Sequence, residues 1–374
     1  MIYDPSSLDL LHIHKKSRKR NMCIAIISTA HPAYEVIIID NRDEYLHRPT
    51  ASANWWQPPN TQVLGSRDLA RPEQGTWMGV TKQGRVAVLT NYREAAPIGN
   101  ISRGAIVNDF LTEPPSAPTS SEAGNDPNEK QRNNNKKKNN NNNEPRKAQR
   151  TTRAFVQDMI NSQMATNAGG FSLVCGRLGE PLAIISNRMS DNIDSTTWIA
   201  STRGETVGLS NTFLNDRTWP KIINGEILMR SAIDANIAAY AHQQQGSTGE
   251  EKERDLIERL FRVLSTDTMP RLSNTEPIKE QYMNQLKESI FIPLLGDRAQ
   301  FEAEAANLAK MGLVGYTSGL YGTQKQTILL VDHAGRVKYV ERSLYDEHIH
   351  PIPLGQGDRV FEFVIEGWKA KTET

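Results

Sequence analysis

The sequence predicts an α+β fold in which helices pack on antiparallel sheets. Three observations carry this. Val- and Ile-rich runs of strand length stand at both ends of the chain, with helical patterns between them. Neighbouring runs are joined by short turn-forming stretches, "KQG" at 82–84, "CGRLGEPL" at 175–182 and "DHAG" at 332–335, so the strands pair as hairpins. The regular strand–helix alternation of a doubly wound parallel sheet is missing.

The elements follow in order. Cys23–Ser28 and Tyr34–Asp40 read as apolar strands, and Thr76–Thr81 and Arg85–Asn91 as a hairpin. Ser102–Leu111 and Thr151–Met164 have helical patterns. Strands return at Phe171–Arg177, Leu182–Asn187 and Trp198–Ser201. Pro220–Gln243 places Ile222, Ile223, Ile227, Leu228, Ala232 and Ile233 at helical spacing, and Glu253–Leu264 is a second long helix. The strands Gln326–Val331, Arg336–Glu341 and Arg359–Ile365 close the domain.

Two segments fall outside this pattern. Residues 1–21 form a basic, polar arm, read as a disordered extension. Its two aspartates and short basic run argue against a mitochondrial presequence, and translation from Met22 would omit it. Residues 112–150 are rich in Pro, Ser, Asn and Lys, with almost no apolar side chains. They cannot offset the entropy of ordering and are expected to be a disordered insertion. About 310 residues remain, enough for one large core.

Composition narrows the function. Lys plus Arg is 44 and Asp plus Glu is 43, a net charge of +1, so no global field draws the chain to nucleic acid or acidic membranes. The two cysteines, Cys23 and Cys175, match no metal or disulfide framework, which suits a reducing compartment. No apolar run approaches the roughly 20 residues that span a bilayer. A continuous apolar signal core is also missing. The expectation is a cytoplasmic chain without metal, cofactor or transmembrane segment.

The chemistry-bearing residues cluster around the first two strands. Cys23 heads one, and Asn41, Arg42, Asp43 and Glu44 stand at the foot of the next. A cysteine there reads as a small core residue. It also reads as a nucleophile: once Met22 is removed, the α-amine, with an ordinary pKa of about 7.7–8.0, serves as its base. Asp43 would orient that amine and Arg42 would lower the thiol pKa. Asn91 and Asn211, each ending a strand-like run, are candidate oxyanion donors. Spacing alone favours reading the same charged residues as an ion-pair network at a strand end.

The motifs "MC", "NRDEYLHRP", "WW", "LGSRDLARPEQGTWMGV", "TNYRE" and "SRG" run in order. They continue in "GGFSLVCG", "GLSN", "TWPK" and "YGTQKQTILLVDHAGRVKYVER". Together they resemble the NRDE family, that of transport and Golgi organisation protein 2, over most of 22–342, and the domain is expected over 22–367. The resemblance implies kinship with cysteine N-terminal-nucleophile hydrolases, such as penicillin V acylase and bile salt hydrolase. It therefore implies an αββα sandwich of two antiparallel sheets. On it, Cys23 takes the nucleophile position, Arg42 and Asp43 neighbour it, and Asn91 and Asn211 are the oxyanion candidates. It implies roles in Golgi organisation, protein secretion, and lipid or haem handling. The ligand would be apolar or acyl-type, haem included, with peripheral membrane, Golgi or mitochondrial association. The alternative is an amidohydrolase or acyltransferase using Cys23. Two departures stand out. Residues 1–21 precede the would-be N-terminal cysteine. Gln324 and Lys325 follow Thr323 where the family carries an Arg, so Lys325 is expected to replace its charge toward an anionic head group.

Other motifs carry two readings. Arg67, Asp68 and Arg71 read as a loop closing over the site and presenting Trp77, or as a turn held by a local ion pair. Trp55 and Trp56 line a ligand pocket or pack in the core. His348 and His350 are weak metal or haem ligands in what reads as a surface loop. Cys175 reads as a buried structural thiol.

Overall fold

A computed structural model of the chain describes residues 22–92, 101–113, 149–188, 196–241, 248–270, 282, 285–299, 301–303 and 319–370. The arm 1–21 and the stretch 114–148 of the Asn-rich segment lie outside the described residues.

The first sheet has six strands: β1 (Met22–Ser28), β2 (Tyr34–Tyr45), β10 (Thr206–Leu209), β11 (Tyr321–Asp332), β12 (Arg336–Ser343) and β13 (Asp358–Val364). Their order is β10-β1-β2-β11-β12-β13. The second sheet holds the remaining seven in sequence: β3 (Thr50–Trp55), β4 (Val63–Asp68), β5 (Met78–Thr81), β6 (Arg85–Asn91), β7 (Phe171–Arg177), β8 (Leu182–Ser186) and β9 (Thr197–Ile199). Every pairing between these strands is antiparallel.

Among the described residues, five helices cover the sheets: α1 (Arg103–Thr112), α2 (Thr152–Asn161), α3 (Gln163–Asn167), α4 (Pro220–Ala241) and α5 (Gly249–Leu264). Side chains alternate across a strand, and the buried clusters sort accordingly. Ala25, Ile27, Val36 and Ile38 meet Leu64, Met78, Val88 and Val174 between the sheets. Ile24, Ile26, Ile37 and Ile39 meet Met229, Ile233, Leu256 and Leu260 of α4 and α5. Ala87, Leu173 and Ile185 meet Ile106, Phe110 and Phe155 of α1 and α2. The result is four layers, αββα.

Local chemistry explains most boundaries. α5 starts at a capping box between Thr248 and Glu251 and buries Leu256, Ile257, Leu260, Phe261 and Leu264 along one stripe. α2 starts where the Thr151 hydroxyl accepts the Ala154 N–H at 3.1 Å. Gly84 and Gly335 occupy their turns with φ of 81° and 79°, a backbone that only glycine adopts without strain.

Three strands escape the apolar pattern: β3, β4 and β10. β10 has four residues, and β4 turns only Leu64 of its apolar residues toward the space between the sheets, followed there by Ser66 and Asp68. The strand expected to stop at Asp40 runs on to Tyr45, so the charged residues lie within it.

The ends of the Asn-rich segment meet. Thr112 closes α1, and Arg150 reaches the Glu113 carboxylate with its main-chain N–H and its Nε, both at 2.9 Å. Replacing 114–148 by a short Gly/Ser link is therefore expected to keep the melting temperature within about 3 °C of the parent. Calorimetry checks this, and loss of the cooperative transition would show that the segment packs.

Candidate functional site

The register of the first sheet assembles the site. Cys23 pairs with Arg42, and Arg42 with Lys325. One row further in, Ala25 pairs with Asp40, Asp40 with Thr327 and Thr327 with Glu341. These residues share the face of Ala25, Ile27 and Ile38, so a polar layer lies between the sheets beside the apolar one. The four motif residues therefore part company. Arg42 and Glu44 turn between the sheets. Asn41 and Asp43 turn to the helices, where the Asn41 amide donates to the carbonyls of Leu264 (2.7 Å) and Ile290 (2.9 Å).

Arg42 is the hub of the inner layer. It lies 3.8 Å from Glu44, 3.6 Å from Asp68 and 4.5 Å above the Trp77 ring, and it donates to the Gln324 side chain. Arg48 also meets Asp68, at 2.7 Å, and Glu44, at 3.7 Å. Glu44 is thus a buried partner in this network.

Lys325 does not stand in for a head-group arginine. A bulge between Thr323 and Lys325 sends it inward. There Nζ donates to Glu341 at 3.0 Å and Ser343 at 2.9 Å, and Glu341 also binds Ser66 and the Ala53 N–H. Its charge is already met.

The strand head is tied down atom by atom. The Cys23 N–H donates to Asn211 Oδ1 at 2.7 Å, and Ser210 Oγ donates to the Cys23 carbonyl at 2.6 Å. Asn211 Nδ2 donates to the main-chain oxygen of Asn91 at 2.5 Å. The structure so brings Cys23, Asn211 and Asn91 together, with Asn91 contributing its carbonyl. The Met22 N–H donates to the Tyr321 hydroxyl at 2.8 Å. The Asp43 carboxylate turns away from Cys23 and accepts Thr323 Oγ1 at 2.7 Å, with Lys221 Nζ at 4.0 Å.

Cys23 is 4% exposed. Burial, then the Asp40 and Asp43 charges, push it well above the ordinary cysteine range. The Asp43 main-chain hydrogen bond and Arg42 pull the other way but do not prevail. The expected thiol depression by Arg42 is therefore reversed while Cys23 is an internal residue, because burial first, and then Asp40 one row behind and Asp43, outweigh Arg42. Asp40 has both carboxylate oxygens unpartnered among the described residues and is itself held well above the usual carboxylate range by burial and by Asp43. Cys175 is pushed up to about 12 by burial.

These shifts give a kinetic expectation. With the preceding residues retained, Cys23 should react with iodoacetamide at neutral pH more slowly than in the urea-unfolded chain. Peptide-resolved mass spectrometry reads both rates; equal rates in folded and unfolded chains would show an open, unperturbed thiol.

The remaining motifs find packing roles. Arg67 stacks 4.1 Å from the Trp56 ring on the outer face, while Asp68 points inward to Arg42 and Arg48. Trp55 meets Phe363 at 5.2 Å between the sheets, and Trp56 packs on the helix side. His348 and His350 are exposed, their rings 6.1 Å apart, in a turn organised by Asp346. No group of three or more His, Cys, Asp or Glu suited to a metal occurs among the described residues. No helix among them is long and apolar enough to cross a membrane. Sequence reasoning missed Asp40, Lys221, Tyr321 and Glu341. Lys221, within "TWPK", and Tyr321 and Glu341, at the two ends of "YGTQKQTILLVDHAGRVKYVER", lay in marked motifs; Asp40, just before "NRDE", did not.

An αββα sandwich with a cysteine heading a central strand and a charged layer between its sheets is the class that fold and site define. The sequence profile described as Transport and Golgi organisation 2 matches residues 22–346, and the chain belongs to that family. It is 27% identical over 317 residues to the mouse Transport and Golgi organization 2 homolog, covering 84% of this chain and 88% of that one. The human homolog is 26% identical over 336 residues, covering 89% and 94%. An uncharacterized protein of Saccharomyces cerevisiae is 25% identical over 358 residues, covering 92% and 100%. Among solved structures, a mutant of conjugated bile acid hydrolase from Clostridium perfringens is similar at a TM-score of 0.32 and 9% identity, covering 91% and 96%.

Proposed function

We propose that this chain is a cytosolic factor of Golgi organisation and protein secretion that works by holding a small apolar or acyl-type ligand, haem among the candidates. The observation that carries this is the state of Cys23. The thiol is enclosed between the sheets beside Asp40, and its N–H is committed to Asn211. Such a thiol stays neutral and is a poor nucleophile. The names of the mouse and human relatives supply the cellular setting. Lipid and haem handling, with peripheral Golgi or mitochondrial association, belong to the same reading.

Rescue of secretion tests it. In host cells lacking the chain, Cys23→Ala should restore export of a secreted reporter as fully as the parent. A folded Cys23→Ala chain that fails to do so would overturn the binding reading.

One observation favours a second reading, a cysteine amidohydrolase or acyltransferase. Asn211 Oδ1 already meets the Cys23 nitrogen, the atom that cleavage after Met22 would turn into an α-amine. In that form Arg42 neighbours the thiol, Asp43 lies one residue beyond, and Asn91 and Asn211 serve the oxyanion. Mass spectrometry of the mature N-terminus, with product release from a thioester or amide, decides between the two.

A further inference from the structure

Lys221 is the second residue of α4, and its side chain is completely buried. Local chemistry does not favour a lysine there. The first turn of a helix carries unpaired N–H groups that repel a cation, and a buried ammonium is costly unless paired. Its ion-pair neighbour is Asp43, Oδ2 to Nζ at 4.0 Å, and neither atom has a hydrogen-bond partner among the described residues. The Trp219 ring flanks Nζ at 5.9 Å.

Asp43 connects this lysine to the strand that carries the thiol. Its Oδ1 accepts from Thr323 Oγ1 at 2.7 Å; that hydroxyl accepts the Ile292 N–H at 2.8 Å, so its own proton is free to point at the carboxylate. The Asp43 carbonyl accepts from Tyr321 Oη at 3.3 Å, and Tyr321 Oη in turn accepts the Met22 N–H at 2.8 Å. Met22 stands directly opposite Asp43 in the register, one residue before Cys23.

We propose that Lys221 is a positioning residue of the Cys23 site: its ammonium holds Asp43 as a carboxylate, and that carboxylate, through β11, fixes the head of β1. The proposal rests on neither functional reading. The groups around Asp43 are Lys221 from α4, Tyr321 and Thr323 from β11, Cys23 from β1, and Asp40, Arg42 and Glu44 on its own strand. Burial pushes Asp43 up to about 7; of the groups pulling it back, Lys221 is the strongest, ahead of Thr323 and Arg42.

The test is a carbon-13 NMR titration of the full chain labelled at aspartate carboxyls, with the Asp43 signal assigned by its loss in Asp43→Asn. Lys221→Met should raise the Asp43 midpoint by about one pH unit or more, since a favourable charge is lost. Lys221→Arg, which keeps the charge, should bring it back toward the parent. An unmoved midpoint in Lys221→Met overturns the proposal. If Lys221→Met does not fold, the pair Lys221→Met with Asp43→Asn separates charge from packing. A charge role predicts that the double variant folds and melts several degrees above the single one. A double variant no better than the single one assigns Lys221 to packing alone and overturns the proposal equally.

Discussion

Arg42→Met is expected to destabilise the chain by about 3–5 kcal/mol, the loss that follows when a buried ion network keeps its anions and loses a cation. Arg42 and Glu44 are 5% and 4% exposed, so water offers little compensation. Without Arg42, Arg48 is left facing both Glu44 and Asp68, the Gln324 side chain loses the Arg42 donor, and the Trp77 face loses the Arg42 cation. Equilibrium urea unfolding measures the change. Adding Glu44→Gln should recover part of it, because one stranded carboxylate is removed. A loss below about 1 kcal/mol would place the network among solvated surface pairs and remove the argument for a closed charged layer.

Gly104→Val should be of comparable size and has a purely steric cause. Gly104, in the "SRG" motif at the start of α1, lies against Gly75 of "PEQGTW". A Cβ at Gly104 would sit 2.8 Å from the Gly75 Cα, and one at Gly75 would sit 2.6 Å from the Gly104 Cα. Both obstacles are main chain, so no side-chain rotation relieves them. Separating α1 from the sheet would loosen Ile106, Val107, Phe110 and Leu111 in the outer core, at about 2–4 kcal/mol. The same unfolding experiment reads it, with loss of helical circular dichroism before the main transition as the local signature. A neutral Gly104→Val would mean that this contact yields without strain. The contact also accounts for two motif glycines without any ligand.

Much of the architecture was legible because it depends on patterns within one segment. Apolar alternation and turn glycines mark β6 and β7, and the "DHAG" turn marks the hairpin of β11 and β12. The spacing of Leu256, Ile257, Leu260 and Leu264 marks α5. The misreadings share a physical origin. β2 was expected to stop at Asp40 because Asp and Asn are poor strand formers. It continues because each polar side chain finds a partner from elsewhere: Asn41 at the end of α5, Arg42 on β4 and β11, Asp43 on α4 and β11. β4 was missed because two of its three inward residues, Ser66 and Asp68, belong to that polar layer.

By itself, then, the amino-acid sequence determined the α+β class, the cysteine at the head of the first strand and the family motifs that bracket it. Only the tertiary structure decided which way each residue of the charged cluster faces and which sign of perturbation the thiol feels. Strand alternation sends the Arg42 and Asp43 side chains to opposite faces, so Arg42 joins the layer between the sheets while the Asp43 carboxylate meets α4 and β11. Burial and the Asp40 carboxyl then outweigh Arg42, because a buried charge acts through short distances in a poorly screened interior. Those distances are set by strand register and helix docking, which join segments far apart in the chain.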